Sequence, residues 1–179
     1  SDKFDHSIQF ENFKPTDLRY HWKGGMSETE DVSKIGSFGS NYYFSEIIYY
    51  DGESVYRETT DEVDKFNEEK AGLNWLGLRR RYAAVFFEFP EPVSSNVIAT
   101  PIEQAEDNPA PITYGVSWSA DLNNMKDQFE VHLQPLLHSD LEAMGKHQEE
   151  ILFSGWSIVG ADVWFVWICG LILSFLNLL

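Results

Sequence analysis

Residues 46–57 read EIIYYDGESVYR, and this stretch decides the fold class. Two short runs rich in isoleucine, valine and tyrosine flank the pair Asp51-Gly52. An Asp-Gly pair readily adopts the positive φ values that a two-residue hairpin turn requires. The stretch therefore predicts an antiparallel β-hairpin with strands at 46–50 and 53–57.

The same alternation of apolar and polar residues recurs along most of the chain, and alternation with a period of two is typical of half-buried strands. Aromatic residues make up 15% of the sequence, which also favours strands. Pro90 and Pro92 are expected to end one of these strands, and the charged stretch 59–70 is expected to be a loop. The further predicted strands are 6–13, 17–22, 81–89, 93–102, 112–120 and 128–133.

One short helix is predicted over residues 139–146, which read SDLEAMGK. Ser139 can cap its start, and Glu142 follows three residues later, as in a capping box. Gly145 can end the helix because glycine tolerates the left-handed conformation. The sequence thus predicts a mainly β domain over residues 1–155, with strands over about 4–135 and this helix packed on the sheet.

The composition excludes several classes of function. The formal net charge is −16, which argues against binding to nucleic acid and against electrostatic attraction to anionic lipid. The single cysteine, Cys169, leaves no possibility of an internal disulfide. We therefore expect no nucleic-acid partner and a monomeric soluble part.

Residues 163–179 read VWFVWICGLILSFLNLL and carry no formal charge. A helix of this length would reach about 26 Å, slightly less than a full bilayer span. We predict a membrane-interface helix over 156–179, whereas a spanning helix and a buried core helix remain alternatives. The residues expected to contact lipid are Trp156, Trp164, Phe165, Trp167, Leu171, Phe175 and Leu176.

No constellation of catalytic or metal-binding residues is visible. The five histidines show none of the short spacings typical of metal ligands, and no glycine-rich loop lies between a strand and a helix. We therefore predict no enzymatic activity, no cofactor and no metal site.

Two local features allow two interpretations each. Arg79, Arg80 and Arg81 form the basic cluster of the chain. They are either protective charges at the start of an aggregation-prone strand, which we favour, or a contact for an acidic partner or a phospholipid headgroup. Trp75 either packs into the sheet, which we favour, or forms a stacking platform for a ligand.

Residues 74–87 (NWLGLRRRYAAVFF) resemble a characteristic strand in the periplasmic domain of YidC-type membrane protein insertases. Residues 129–145 (FEVHLQPLLHSDLEAMG) are similar to its later strand, turn and short helix, which ends in glycine. Residues 153–155, 164–168 and 171–179 resemble the stretch that leads from the domain into the family's interfacial helix.

This resemblance implies an antiparallel β-supersandwich, related to mutarotase and sugar-binding folds, that faces the periplasm from the bacterial inner membrane. It also implies that the protein helps to insert and fold inner-membrane proteins, alone or with the SecYEG translocon and its SecD and SecF subunits. The partners would be nascent membrane proteins, these Sec subunits and lipid. The resemblance assigns no catalytic residue.

Two other functional classes remain open. One is a membrane-anchored carbohydrate-binding or carbohydrate-modifying β-sandwich protein. The other is a tail-anchored adhesion or envelope-assembly protein without a role in translocation.

Overall fold

A computed structural model describes residues 2–12, 15–23, 46–59, 66–80, 82–102, 113–120 and 126–152. In these ranges the chain forms strands followed by one short α-helix and one 3₁₀ helix. The elements are β1 (Asp2–Gln9), β2 (Arg19–Trp22), β3 (Glu46–Tyr50), β4 (Val55–Thr59), β5 (Asn67–Arg79), β6 (Ala83–Ile102), β7 (Thr113–Ser119), β8 (Lys126–Pro135), α1 (His138–Met144) and the 3₁₀ helix (Gln148–Leu152).

The predicted hairpin is confirmed, although its turn is longer than expected. Tyr50 pairs with Val55, so the loop has the four residues between them instead of two. The Asp51 carboxylate accepts hydrogen bonds from the backbone N–H groups of Glu53 and Ser54, both at 2.9 Å. These two bonds lower the pKa of Asp51 and stabilise the longer loop.

Two predictions about the central strands are wrong. The charged stretch 59–70 does not remain a loop throughout, because β5 already begins at Asn67. The strand predicted to end before Pro90 continues through both prolines as the single strand β6. Asn67, Glu68 and Glu69 are exposed, so their polar side chains remain in water while their backbone pairs with β6.

The prolines are tolerated in β6 because the strand changes neighbours around them. Residues 83–88 pair with β8, whereas residues 97–102 pair with β7 on the same side. Pro90 and Pro92 lie between these two paired stretches, where no ladder to either strand is described. Proline lacks a backbone N–H, and here its absence costs no hydrogen bond on that side of the strand.

All described strand pairs are antiparallel and belong to one sheet with the order β1-β8-β6-β5-β3-β4. β7 joins this sheet through β6, and β2 pairs with β7. The mainly β, antiparallel fold with one short helix is therefore confirmed. The boundaries differ most for β1, which was predicted at 6–13 and ends at Gln9.

The larger of two apolar clusters fills one face of the sheet with aromatic rings. Phe87 of β6, Trp118 of β7 and Phe129 of β8 meet there, with ring centroids 4.5 Å apart for Phe87–Trp118 and 5.3 Å for Trp118–Phe129. Tyr20 of β2 lies 4.9 Å from Phe129. Because each ring comes from a different strand, the cluster holds the β2–β7 pair against the rest of the sheet.

The smaller apolar cluster lies on the opposite face and is covered by the C-terminal elements. Leu141 of α1 and Ile151 of the 3₁₀ helix pack over Ile48, Trp75 and Phe86. All five side chains are fully buried. The prediction that the short helix packs on the sheet is confirmed.

The details of this helix differ from the prediction at its start. The cap residue is Leu137, with no side-chain capping bond, and Ser139 donates instead to the side chain of Asp140 at 3.4 Å. The predicted capping box is therefore wrong. Gly145 ends the helix with a φ of 75°, as predicted.

Candidate functional site

The predicted basic cluster lies largely inside the protein. Arg79 and Arg80 are 6% and 5% exposed, whereas Arg81 lies outside the described residues. Arg79 Nη1 is 2.8 Å from Glu46 Oε2, and Arg57 Nη2 is 2.5 Å from the same oxygen. Arg79 thus binds a carboxylate of its own sheet. A contact between this cluster and an acidic partner stays a prediction.

Burial in this ion pair has an electrostatic consequence for Arg79. Loss of solvent and the neighbouring positive charge of Arg57 lower the pKa of Arg79, while the Glu46 carboxylate opposes the shift. An arginine nevertheless stays charged under these conditions. The three side chains therefore form a buried charged group in which one carboxylate binds both arginines.

The predicted lipid-contacting residues, from Trp156 to Leu176, all lie outside the described residues. Within the described ranges, none of the helices is long and apolar enough to cross a bilayer.

Trp75 packs into the sheet, as favoured by the sequence, and the alternative of an exposed stacking platform is wrong. Its side chain is fully buried between Tyr50 and Phe86, with ring centroids at 6.2 and 5.5 Å. Its indole Nε1 donates a hydrogen bond to the backbone carbonyl of Lys146 at 2.8 Å. The tryptophan therefore connects β5 to the segment that follows α1.

A network of five charged or titratable side chains crosses the helix-bearing side of the sheet. We call it the charged network; its members are Lys3, Glu88, Glu130, His132 and Lys146. Lys3 Nζ is 2.8 Å from Glu130 Oε2, and Lys146 Nζ is 2.7 Å from Glu88 Oε1. His132 Nε2 lies between the carboxylates, 3.3 Å from Glu130 and 3.7 Å from Glu88. The network ties β1, β8, β6 and the segment after α1 together.

Strand pairing explains why these residues meet. Glu88 of β6 stands directly opposite Glu130 of β8, and Lys3 of β1 stands opposite His132. Two adjacent carboxylates would repel each other. A lysine bound to each offsets that repulsion, and the bond to Lys3 is the main cause that lowers the pKa of Glu130.

Sequence reasoning missed this network. The only local signal was the i, i+2 spacing of Glu130 and His132, which places both side chains on one face of a strand. Glu88 and Lys3 come from other strands, and their registers cannot be read from the sequence.

Glu88, Glu130 and His132 together offer three ligand atoms within 4.8 Å of one another. Such a set is compatible in type with a transition-metal ion. Both carboxylates are already bound by ammonium groups, however, and a cation would have to displace Lys3 and Lys146. The present arrangement is that of an ion-pair network.

A cleft of about 390 Å³ opens beside the charged network. Its lining combines carboxylates with aromatic and amide side chains. The lining residues are Asp5, His6, Ser7, Glu88, Phe89, Pro90, Gln128, Phe129 and Glu130. The cleft is therefore polar at its rim, and its two phenylalanines are almost fully buried.

Gly145, Lys146 and His147, which we call the elbow, connect α1 to the 3₁₀ helix. All three have positive φ values, of 75°, 52° and 60°. A non-glycine residue pays roughly 1–2 kcal/mol for this left-handed conformation. Lys146 and His147 can therefore keep it only where other contacts hold them in place.

Comparison with known protein families finds no family model that matches this chain, and comparison with curated proteins finds no significant match.

Proposed function

We propose that the chain is the periplasmic part of a YidC-type membrane protein insertase. The observation that carries the proposal is the packing of the two segments with the most specific resemblance. Of the first segment, residues 74–79 lie on β5 and 83–87 on β6. Of the second, residues 129–135 lie on β8 and 138–144 on α1, and the three strands are neighbours in the sheet. Trp75 of the first segment binds Lys146, directly after the second. The segments support each other physically, as parts of one family signature should.

The proposed family relationship implies further structure around the sheet formed by the described strands. Two apolar clusters lie on opposite faces of the sheet, which is compatible with a second layer over the aromatic face. We propose that the complete domain is a β-supersandwich of the mutarotase type and that residues 156–179 form the interfacial helix after it.

The proposed location is the bacterial inner membrane, with the β domain in the periplasm. Attachment would be hydrophobic, through the apolar segment 163–179, because a net charge of −16 opposes binding to anionic lipid. The proposed partners are nascent membrane proteins and the SecYEG translocon with SecD and SecF. The role is one of binding and positioning, without catalysis of a chemical reaction.

A binding experiment tests this role. The 179-residue chain is incorporated into lipid nanodiscs and titrated with purified translocon that contains SecD and SecF. The proposal expects saturable binding above that of empty nanodiscs, and cross-links to a ribosome-bound membrane protein. Absence of both interactions would contradict it.

The cleft supports a second candidate, the membrane-anchored carbohydrate-binding protein. Its polar rim offers donors and acceptors for hydroxyl groups, as sugar sites do. A calorimetric screen against mono- and disaccharides tests this function. Any sugar that binds should bind less well after Gln128→Ala, whereas Gln9→Ala, an exposed position on β1 outside the cleft lining, should leave binding unchanged.

A further inference from the structure

The elbow is the most unusual backbone feature among the described residues. Its three consecutive residues have left-handed φ values, and two of them are not glycine. Short runs of this kind persist only where the surrounding structure over-determines them. The contacts around the elbow should therefore reveal what holds it.

Three strands of the sheet hold the elbow. From β5, Trp75 Nε1 donates to the carbonyl of Lys146 at 2.8 Å. From β6, Glu88 Oε1 and the carbonyl of Phe89 bind Lys146 Nζ at 2.7 and 3.2 Å. From β3, the ring of Tyr50 lies 5.3 Å from the ring of His147. The backbone and the side chain of Lys146 are thus both bound.

The elements on either side of the elbow are anchored as well. Leu141 precedes it and Ile151 follows it, and both side chains are fully buried in the smaller apolar cluster. The backbone N–H groups of Gln148 and Glu150 donate to the carbonyls of Gly145 and His147 at 3.3 and 3.2 Å. The elbow therefore joins two elements that are themselves anchored, and little freedom is left to it.

We propose that the elbow is a latch that fixes the direction in which the chain leaves the sheet toward the apolar C-terminal segment. Trp75 and Lys146 are its positioning residues. Trp75 binds the backbone of the elbow, and the side chain of Lys146 reaches from the elbow to β6. A force or a tilt applied at residue 152 would then be transmitted to the sheet instead of being absorbed in a flexible joint. The value of this coupling for membrane insertion rests on the proposed function, whereas the latch itself does not.

Hydrogen exchange tests the latch in the 179-residue chain, kept in detergent micelles. Lys146→Met removes the ammonium group and retains an unbranched side chain, and Trp75→Phe removes the indole donor. Both variants should speed exchange of the Gln148 and Glu150 amides by about tenfold or more, because local opening then needs less free energy. Exchange in β2 and β7, which contribute no side chain to the charged network or to the elbow, should stay unchanged in Lys146→Met.

Lys126→Met is the matched control, since Lys126 is exposed at the start of β8. The proposal is overturned if Lys146→Met leaves the exchange of both amides unchanged, or if Lys126→Met accelerates it equally. If Trp75→Phe unfolds the domain, the Lys146→Met result decides alone. Loss of Sec binding has no bearing on this measurement, so failure of the proposed function and failure of the latch are distinguishable.

Discussion

Three charged side chains, Glu46, Arg57 and Arg79, are buried together where β3, β4 and β5 meet. The Glu46 carboxylate binds both guanidinium groups, and its side chain is 6% exposed. Glu46→Gln would leave the two positive charges beside a neutral amide. Removal of one partner from a buried ion pair costs about 3–5 kcal/mol, so urea denaturation should show a loss of that order in the free energy of unfolding.

Glu53→Gln provides the matched control for this variant, because Glu53 is exposed in the loop of the same hairpin. An exposed substitution of this kind should change the free energy of unfolding by less than about 0.5 kcal/mol. Equal effects of the two variants would show that the buried charges are solvated better than their burial indicates.

These side chains also show which contacts could be predicted from the sequence and which could not. The cluster 79–81 was visible as basic, but its partner Glu46 is 33 residues away, and only the β3–β5 register brings it to Arg79. Trp75 was correctly expected in the core, because large aromatic residues are usually packed there. Its bond to Lys146 could not be expected, since it depends on tertiary structure.

Among the strands, β1 is held to β8 partly by the bond between Lys3 and Glu130. This bond lowers the pKa of Glu130 in the folded state. Because the pKa of Glu130 is lower in the folded state, its ionised form stabilises the fold at pH values above the unfolded-state pKa, near 4.5. This stabilisation is lost as the pH falls through the folded-state pKa. The β1–β8 pairing should therefore weaken in acid.

Glu130→Gln removes this titration. Between pH 6 and pH 3, the urea concentration at the unfolding midpoint should fall further for the wild-type protein than for Glu130→Gln. The difference should be small, because the Glu130 side chain is 40% exposed. Glu69→Gln, an exposed position on β5, should behave like the wild type. Parallel pH profiles for all three proteins would show that Lys3 contributes nothing measurable to the pairing.

The strands differ in how far each could be predicted from its own local sequence. The existence of the hairpin was predictable from Asp51-Gly52 between two apolar runs, whereas its four-residue loop was not. β5 was not fully predictable, because the polar residues 67–70 become strand only through pairing with β6. The continuity of β6 through Pro90 and Pro92 depends on a change of neighbours that no local pattern shows.

At the level of the complete chain, an acidic β domain is joined to an uncharged apolar segment at residues 163–179. Burial of each leucine, isoleucine or phenylalanine side chain of this segment is worth about 1.5–3 kcal/mol. A chain that ends at residue 155 should therefore be soluble, monomeric and folded, with a cooperative thermal transition and a strand-type circular dichroism spectrum. The full chain should float with lipid vesicles, and the truncated chain should not.

The lipid dependence separates hydrophobic from electrostatic attachment. Since the chain carries a net charge of −16, flotation of the full chain should be no stronger with anionic vesicles than with neutral ones, and salt should not abolish it. Phe175→Asp places a carboxylate within the apolar segment and should weaken flotation while the β domain melts as before. If the truncated chain still floated, a surface of the β domain would have to bind lipid; if the full chain remained soluble without lipid or detergent, the segment would have to be buried in the protein.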